Sequence, residues 1–86
     1  MKSKLHVDLH GNKLWYLNDK IHREDGPAME YANGAKFWLI NGKYHREDGP
    51  ALEYPDGTGR WYFNDVYVHC SSQQEFERYL KLKAFW

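Results

Sequence analysis

Two identical copies of a seven-residue motif carry the residue types in this chain that are best suited to chemistry. The motif His-Arg-Glu-Asp-Gly-Pro-Ala runs from His22 to Ala28 and again from His45 to Ala51. Imidazole and carboxylate groups together could hold a divalent metal ion or serve as a general acid and base. Either use requires the side chains to converge on one point, so the elements that position the motif decide what it can do.

The pattern does not favour convergence. Neighbouring carboxylates such as Glu24 and Asp25 point to different sides of an extended chain, which disfavours a metal site. A catalytic centre is a single pocket, whereas this motif recurs and has no pocket-forming loop beside it. We therefore expect no enzyme activity, no metal and no cofactor, and we interpret the motif as structural, with ion pairs running from one copy to the other. The residues given this structural role are His22, Arg23, Glu24, Asp25, His45, Arg46, Glu47 and Asp48.

The motif belongs to a longer repeat. Residues 21–43 match residues 44–66 at 12 of 23 positions, and residues 5–20 form a partial N-terminal copy. The chain of 86 residues is therefore predicted to be one domain, 1–86, containing about two and a half repeats. Repeats of this kind stack so that each unit contacts its neighbours.

Each repeat is predicted to be an antiparallel β-hairpin. Asn33-Gly34, like Asp56-Gly57 one repeat later, favours a two-residue type I′ turn between two strands. Such a turn sets Met29 opposite Trp38, which fixes the side chains on each face. The predicted core face holds Trp15, Leu17, Met29, Tyr31, Trp38, Ile40, Leu52, Tyr54, Trp61 and Phe63. The opposite, half-polar face holds Leu14, Tyr16, Glu30, Phe37, Leu39, Glu53, Arg60 and Tyr62.

The hairpin pattern ends at Ser71-Ser72, where a helix is predicted. Ser72 followed by Glu75 is a capping box, so residues 72–84 are expected to form a capped helix with Phe76 on its apolar face. A short sheet with an open apolar face needs a covering element, and this helix is the candidate. The predicted fold class is mainly β (α+β): an antiparallel hairpin meander followed by one C-terminal helix.

Composition restricts the function classes. Lys plus Arg and Asp plus Glu are both 12, so the net charge of zero gives no reason to expect direct nucleic-acid binding. The single cysteine, Cys70, cannot form an intrachain disulfide, which is typical of a reducing compartment. We find neither a signal peptide nor a membrane span in the sequence, and we expect a cytoplasmic protein.

The hairpin repeat resembles the MORN family, whose short β-hairpins stack into an elongated sheet. The resemblance covers Val7 to Val66 and is carried by Asn-Gly-Lys-Tyr-His at Asn41–His45, Glu-Tyr-Pro-Asp-Gly at Glu53–Gly57 and the matching Glu30–Gly34. A Gly soon after the His is typical of MORN repeats, whereas Arg-Glu-Asp follows it here. The longer motif is similar to a variant repeat of small bacteriophage and bacterial proteins, which implies a small inhibitor of a host protein, such as a CRISPR or other defence effector.

Three functional hypotheses remain open. The first is a non-enzymatic protein-binding module, because aromatic residues and Arg dominate binding hot spots. The second is sequestration of a nucleotide or signalling molecule between Arg23, Arg46 and stacked aromatic rings. The third is MORN-like lipid binding, which the neutral charge disfavours. The open edges of a meander also allow a homodimer. The predicted partner-binding residues are Tyr16, Phe37, Arg60, Tyr62, Phe85 and Trp86.

Overall fold

The structure, a computed structural model, describes residues 2–83. This part of the chain is a flat body of 42 × 31 × 17 Å, and it confirms the predicted mainly β meander with a C-terminal helix. Its elements, in chain order, are β1 (Lys4–Val7), β2 (Lys13–Leu17), β3 (Lys20–Ile21), β4 (Met29–Glu30), β5 (Lys36–Phe37), β6 (Leu39–Ile40), β7 (Lys43–Tyr44), β8 (Leu52–Glu53), β9 (Gly59–Phe63), β10 (Val66–Val68) and α1 (Gln73–Lys83).

All the strand pairs are antiparallel, and the main sheet follows the order β1-β2-β4-β5-β8-β9-β10. Strand β3 pairs with the end of β2, and β6 pairs with β7 in a separate two-stranded sheet. Residues 21–43 therefore contribute two strands, β4 and β5, to the main sheet, and β6 and β7 form a short hairpin outside it.

Two-residue turns close the short hairpins, one turn in each repeat. Asn18-Asp19, Asn41-Gly42 and Asn64-Asp65 each have two consecutive positive φ angles, 52° and 64°, 52° and 78°, and 48° and 71°. This conformation is the type I′ turn, which Asn, Asp and Gly tolerate better than other residues. The Asn-Asp and Asn-Gly pairs of the repeat therefore form type I′ turns at these three positions.

The hairpin at Asn33-Gly34 has a different turn from the predicted one. Only Gly34 has a positive φ, 98°. The Tyr31 N–H donates to the Ala35 carbonyl at 2.9 Å, and the Ala35 N–H donates to Oδ1 of Asn33 at 3.0 Å. The loop therefore has three residues and ends in a left-handed glycine, a geometry typical of a bulged hairpin. One repeat later, Asp56 and Gly57 make the equivalent contacts.

This turn shifts the strand register by one residue. Met29 lies opposite Phe37, not opposite Trp38 as predicted, and Glu30 lies opposite Lys36. A one-residue shift moves every side chain of a strand to the other face of the sheet. The predicted core face is therefore wrong for Met29 and Tyr31, and for Leu52 and Tyr54 in the next repeat.

The corrected register defines two faces. The tyrosine face carries Leu14, Tyr16, Met29, Tyr31, Phe37, Tyr44, Leu52, Tyr54, Arg60, Tyr62 and Tyr67. The tryptophan face carries Leu5, Val7, Lys13, Trp15, Glu30, Lys36, Trp38, Glu53 and Trp61. A row of alternating charges, Lys13, Glu30, Lys36 and Glu53, crosses the second face from strand to strand, an arrangement that favours this register.

The fully buried side chains are mostly small and do not form the predicted tryptophan core. The buried hydrophobic residues are Ala28, Ala35, Leu39, Ala51, Leu52, Val68 and Phe76. The three repeat tryptophans are only half-buried. Leu39, predicted on the half-polar face, is 5% exposed. A sheet this thin buries the residues close to its backbone and leaves the large rings partly exposed.

The helix covers the tryptophan face of the third repeat. Its Phe76 is 0% exposed, and Gln73 accepts a hydrogen bond from Nε1 of Trp61 at 2.8 Å. Ser72 caps the helix by accepting from the Glu75 N–H at 3.2 Å, while the Glu75 carboxylate accepts from the Ser71 N–H at 3.1 Å. The predicted last residue of the helix, Ala84, lies outside the described residues.

Candidate functional site

The arginine of the second motif copy is held on several sides. Its guanidinium carbon lies 3.7 Å from the Trp38 ring centroid. Nε of Arg46 donates to Asp48 at 2.8 Å, and Nη1 donates to the Pro50 carbonyl at 3.1 Å and to Glu53 at 2.5 Å. The hydrogen bond from Arg46 lowers the pKa of Asp48. We call this arrangement the arginine clamp.

The first motif copy forms the same clamp with longer contacts. The Arg23 guanidinium lies 4.0 Å from the Trp15 ring, and its nitrogens are 3.0 Å from Asp25 and 3.4 Å from Glu30. The ion pairs thus run within each repeat, not between the two copies as expected. The motif therefore joins the end of one hairpin to the strand that follows it.

The glycine of each motif copy lies against the clamp arginine, and the alanine lies buried between strands. A Cβ atom on Gly49 would lie 2.7 Å from Cζ of Arg46, and one on Gly26 would lie 3.0 Å from Cζ of Arg23. Ala28 and Ala51, the last residues of the two copies, are each 0% exposed. Larger side chains at these positions would displace the guanidinium or the neighbouring strands.

Each motif histidine, near the start of its repeat, binds the type I′ turn near the end of the same repeat. Nδ1 of His22 accepts from the Asn41 N–H at 2.9 Å, and Nδ1 of His45 accepts from the Asn64 N–H at 3.1 Å. Each contact holds the first residue of a type I′ turn. Nε2 of His45 lies 3.2 Å from Glu47, whereas Nε2 of His22 lies 3.7 Å from Glu24. Nδ1 of each imidazole is thus used in a hydrogen bond to the protein backbone. Both neighbouring glutamates, Glu24 and Glu47, are exposed.

The arrangement offers little for metal or nucleophile chemistry. In the described range 2–83, no group of three or more His, Cys, Asp or Glu side chains is placed to hold a metal ion. Cys70 is half-buried, and burial raises the pKa of its thiol. A raised thiol pKa reduces the fraction of reactive thiolate.

The third repeat replaces the clamp with the helix. Val68 stands one full repeat after His45, where a third motif histidine would fall, and it is 7% exposed. Trp61 donates to Gln73, whose Nε2 in turn donates to the Glu47 carbonyl at 2.9 Å. The first residue of α1 therefore connects the third tryptophan to the second motif copy.

A continuous chain of aromatic rings crosses the tyrosine face. Phe37 is at its centre, with ring centroids 5.2 Å from Tyr31, 6.1 Å from Tyr44 and 6.0 Å from Tyr54. From Tyr44 the chain continues to Tyr62 at 5.2 Å, and Tyr62 lies 5.3 Å from Tyr67. Burial raises the pKa of Tyr44, the ring that lies between Phe37 and Tyr62 in this chain. Spacings of this size are typical of packed aromatic pairs.

Four of the predicted partner-binding residues lie on this face. Phe37 and Tyr62 are part of the ring chain, Arg60 lies beside it, and Tyr16, 37% exposed, lies on β2. Phe85 and Trp86, also predicted to bind a partner, lie outside the described residues. Sequence reasoning missed four rings of the chain: Tyr31, Tyr44, Tyr54 and Tyr67. Their recurrence at the repeat spacing, Tyr31 to Tyr54 and Tyr44 to Tyr67, was the signal that could have identified them.

Arg60 differs from the clamped arginines. Its Nη1 donates to the Tyr67 hydroxyl at 3.2 Å, and its guanidinium carbon lies 5.7 Å from that ring. Hydrogen bonding to the Tyr67 hydroxyl, and then to that of Tyr54, raises the pKa of Arg60. Among residues 2–83, Arg60 forms no ion pair with a carboxylate. Arg60 is an exposed residue, so the donors that are not bonded to the tyrosine hydroxyls are accessible to solvent.

No family model, curated protein or solved structure was found to match this chain. Within residues 2–83, α1 is too short and too polar to cross a bilayer. The functional interpretation therefore depends on the geometry of the two faces.

Proposed function

We propose that this protein is a non-enzymatic protein-binding module and that its tyrosine face is the binding surface. The observation that carries the proposal is the chain of six rings, which crosses the second and third repeats and lies beside an exposed arginine. Tyrosine and arginine are enriched among the residues that contribute most binding energy at protein interfaces. The two clamped arginines stabilise the fold, whereas Arg60 leaves its donors available to a partner.

The packing of the rings suits a binding surface. Tyr31, Phe37, Tyr44, Tyr54 and Tyr62 are half-buried against one another, and Tyr67 is 36% exposed. Rings that are already held by their neighbours lose little side-chain entropy when a partner covers them. The free protein therefore presents a preorganised aromatic surface.

The ligand-binding alternative has less support. An open groove of about 570 Å³ lies between the two motif copies and is lined by both Arg23 and Arg46. Each guanidinium is already paired with two carboxylates of its own repeat. An anionic nucleotide would have to compete with those carboxylates, so protein binding by the tyrosine face is the better supported function.

The partner is a protein that presents a carboxylate to Arg60. The strand residues of the tyrosine face include Arg60, and Lys4 and His6 extend from the same side of β1. Such a face complements an acidic surface, since opposite charges steer association and fix orientation. In the setting implied by the phage-type resemblance, the module is a small inhibitor of a host protein.

Affinity capture from the natural host, followed by calorimetry with the purified partner, tests this function. Arg60→Ala should raise the Kd about thirtyfold, which corresponds to a hot-spot loss of about 2 kcal/mol. Lys43→Ala is the matched control, because it removes an exposed cation from the hairpin on the tryptophan side. Equal Kd values for both variants, or no stoichiometric partner, would contradict the proposal.

A further inference from the structure

Strand β1 occupies in the first repeat the position that β4 and β8 occupy in the later repeats. His6 lies opposite Leu14 as Met29 lies opposite Phe37 one repeat later. Strands β4 and β8 each pair with a neighbour on both edges. Within residues 2–83, β1 pairs with β2 alone. Among the described residues, the outer edge of β1 is therefore unpaired, whereas a neighbouring strand pairs with the equivalent edge of β4 and of β8.

Two of the four side chains of β1, those of Leu5 and Val7, are apolar and exposed. Leu5 is 51% exposed and Val7 is 52% exposed, and both lie on the tryptophan face. At the position equivalent to Leu5 in the next repeat, Ala28 is 0% exposed because strands flank it on both sides. An apolar edge strand without a neighbour is a typical site for strand addition.

We propose that this edge binds the same edge of a second copy of the chain, in an antiparallel pair centred on His6. In this register Leu5 lies opposite Val7 of the second copy, and Lys4 lies opposite Asp8 of the second copy. The two-fold symmetry repeats both contacts, so two apolar pairs form, and each Lys4 lies opposite an Asp8 carboxylate that also accepts hydrogen bonds from Asn12 of its own chain. The segment Lys-Leu-His-Val-Asp is thus complementary to itself.

The charge pairs between Lys4 and Asp8 and the alternation of side chains between the two faces favour the register centred on His6. A shift of one residue would turn Leu5 and Val7 of one copy away from those of the other, because side chains alternate between faces. A two-fold axis normal to the sheet leaves the tyrosine faces of both copies on the same side. The dimer would present two partner surfaces in one plane, and this consequence alone depends on the proposed function.

Sedimentation equilibrium of the full chain across the micromolar range tests the pairing. We expect a reversible increase from the chain mass of 10.3 kDa to twice that value. Leu5→Lys should raise the dimer dissociation constant at least about tenfold, because each copy loses an apolar contact and gains a charge at the centre of the pair. Val66→Lys is the matched control, since Val66 is 53% exposed on β10 at the other end of the sheet.

A second variant tests the register. Lys4→Glu places a carboxylate opposite Asp8 of the second copy and should also weaken the dimer, whereas the same change at exposed Lys20 should not. Circular dichroism of each variant shows whether the fold is retained. A monomer at all concentrations, or a dimer that Val66→Lys weakens and Leu5→Lys does not, would overturn the proposal without bearing on the tyrosine face.

Discussion

The first two repeats and the third repeat cover their tryptophans in different ways. In the first two, an arginine from the motif lies over the ring, 4.0 Å from Trp15 and 3.7 Å from Trp38. In the third, the helix takes this place through Gln73, which accepts from Trp61. The equivalent half-buried tryptophan rings are therefore covered either by an arginine or by the helix.

The difference shows how the array continues and how it ends. After each clamp the chain passes through Gly-Pro-Ala into β4 or β8, which pairs with strands on both sides. After β10 the chain passes into α1 and supplies no further strand within the described residues. A clamp thus covers one repeat and begins another, whereas the helix covers a repeat and ends the array.

Removing the helix contact should have the largest effect. Phe76 is 0% exposed, so Phe76→Ala should lower the free energy of unfolding by about 3 to 5 kcal/mol. Leu82, on the same helix, is 58% exposed, and Leu82→Ala should change stability by less than about 0.5 kcal/mol. Urea unfolding followed by circular dichroism measures both. Similar losses for the two variants would show that α1 is not a packed part of the fold.

Weakening one clamp should have an intermediate effect. Arg46→Lys removes the planar stack on Trp38 and part of the hydrogen bonding to Asp48 and Glu53, and should lower stability by about 1 to 2 kcal/mol. The longer contacts of Arg23 predict a smaller loss for Arg23→Lys. Urea unfolding of the two variants side by side tests this order. A larger loss at Arg23 would mean that the first repeat, and not the second, is the better packed one.

Acidification should have the smallest effect on stability, and it should weaken both the arginine clamp and the helix cap. Arg46 lowers the pKa of Asp48, and Ser71 lowers the pKa of Glu75 at the helix cap. A carboxyl whose folded pKa is below its unfolded pKa contributes stability above the unfolded value, about pH 4, and loses it as the pH falls through the folded value.

The midpoint of urea unfolding should therefore be constant above about pH 5 and fall below about pH 4. Asp48→Asn and Glu75→Gln should each make this fall shallower, one through the clamp and the other through the helix. Thr58→Ala and Asp56→Asn at the exposed bulged turn provide a comparison, because Thr58 lowers the pKa of Asp56 by local hydrogen bonds alone. An unchanged slope in Asp48→Asn would contradict the assigned role of the clamp.

The repeat, the meander and the helix follow from sequence patterns, but the register does not. Asn33-Gly34 and Asn41-Gly42 are the same dipeptide, yet the first forms a three-residue loop and the second forms a type I′ turn. The Asn41 N–H is held by His22, which is distant in sequence within the same repeat, whereas Asn33 accepts a hydrogen bond from its own loop. A contact from outside the turn thus selects the turn type, and the local dipeptide alone cannot supply it.

The one-residue shift in strand register also determines which residues of the candidate site can be predicted from the sequence. Phe37, Arg60 and Tyr62 lie together because they occupy equivalent strands whose alternation the sequence shows. A two-residue loop places Tyr31 and Tyr54 on the other face, whereas the three-residue loops of the structure place them beside Phe37. The ring chain, which joins both sets, therefore depends on the length of these loops.

The hydrogen bonds between repeats have a consequence for chain length. The Trp15 N–H donates to the Ala28 carbonyl as the Trp38 N–H donates to the Ala51 carbonyl one repeat later, so the junction between units does not depend on where in the array it lies. A duplicate of residues 21–43 inserted before Tyr44 would add one more junction of the same kind and leave both ends unaltered. Length in this protein is therefore adjustable in steps of one unit, and each added unit contributes its own interface to the stability of the whole.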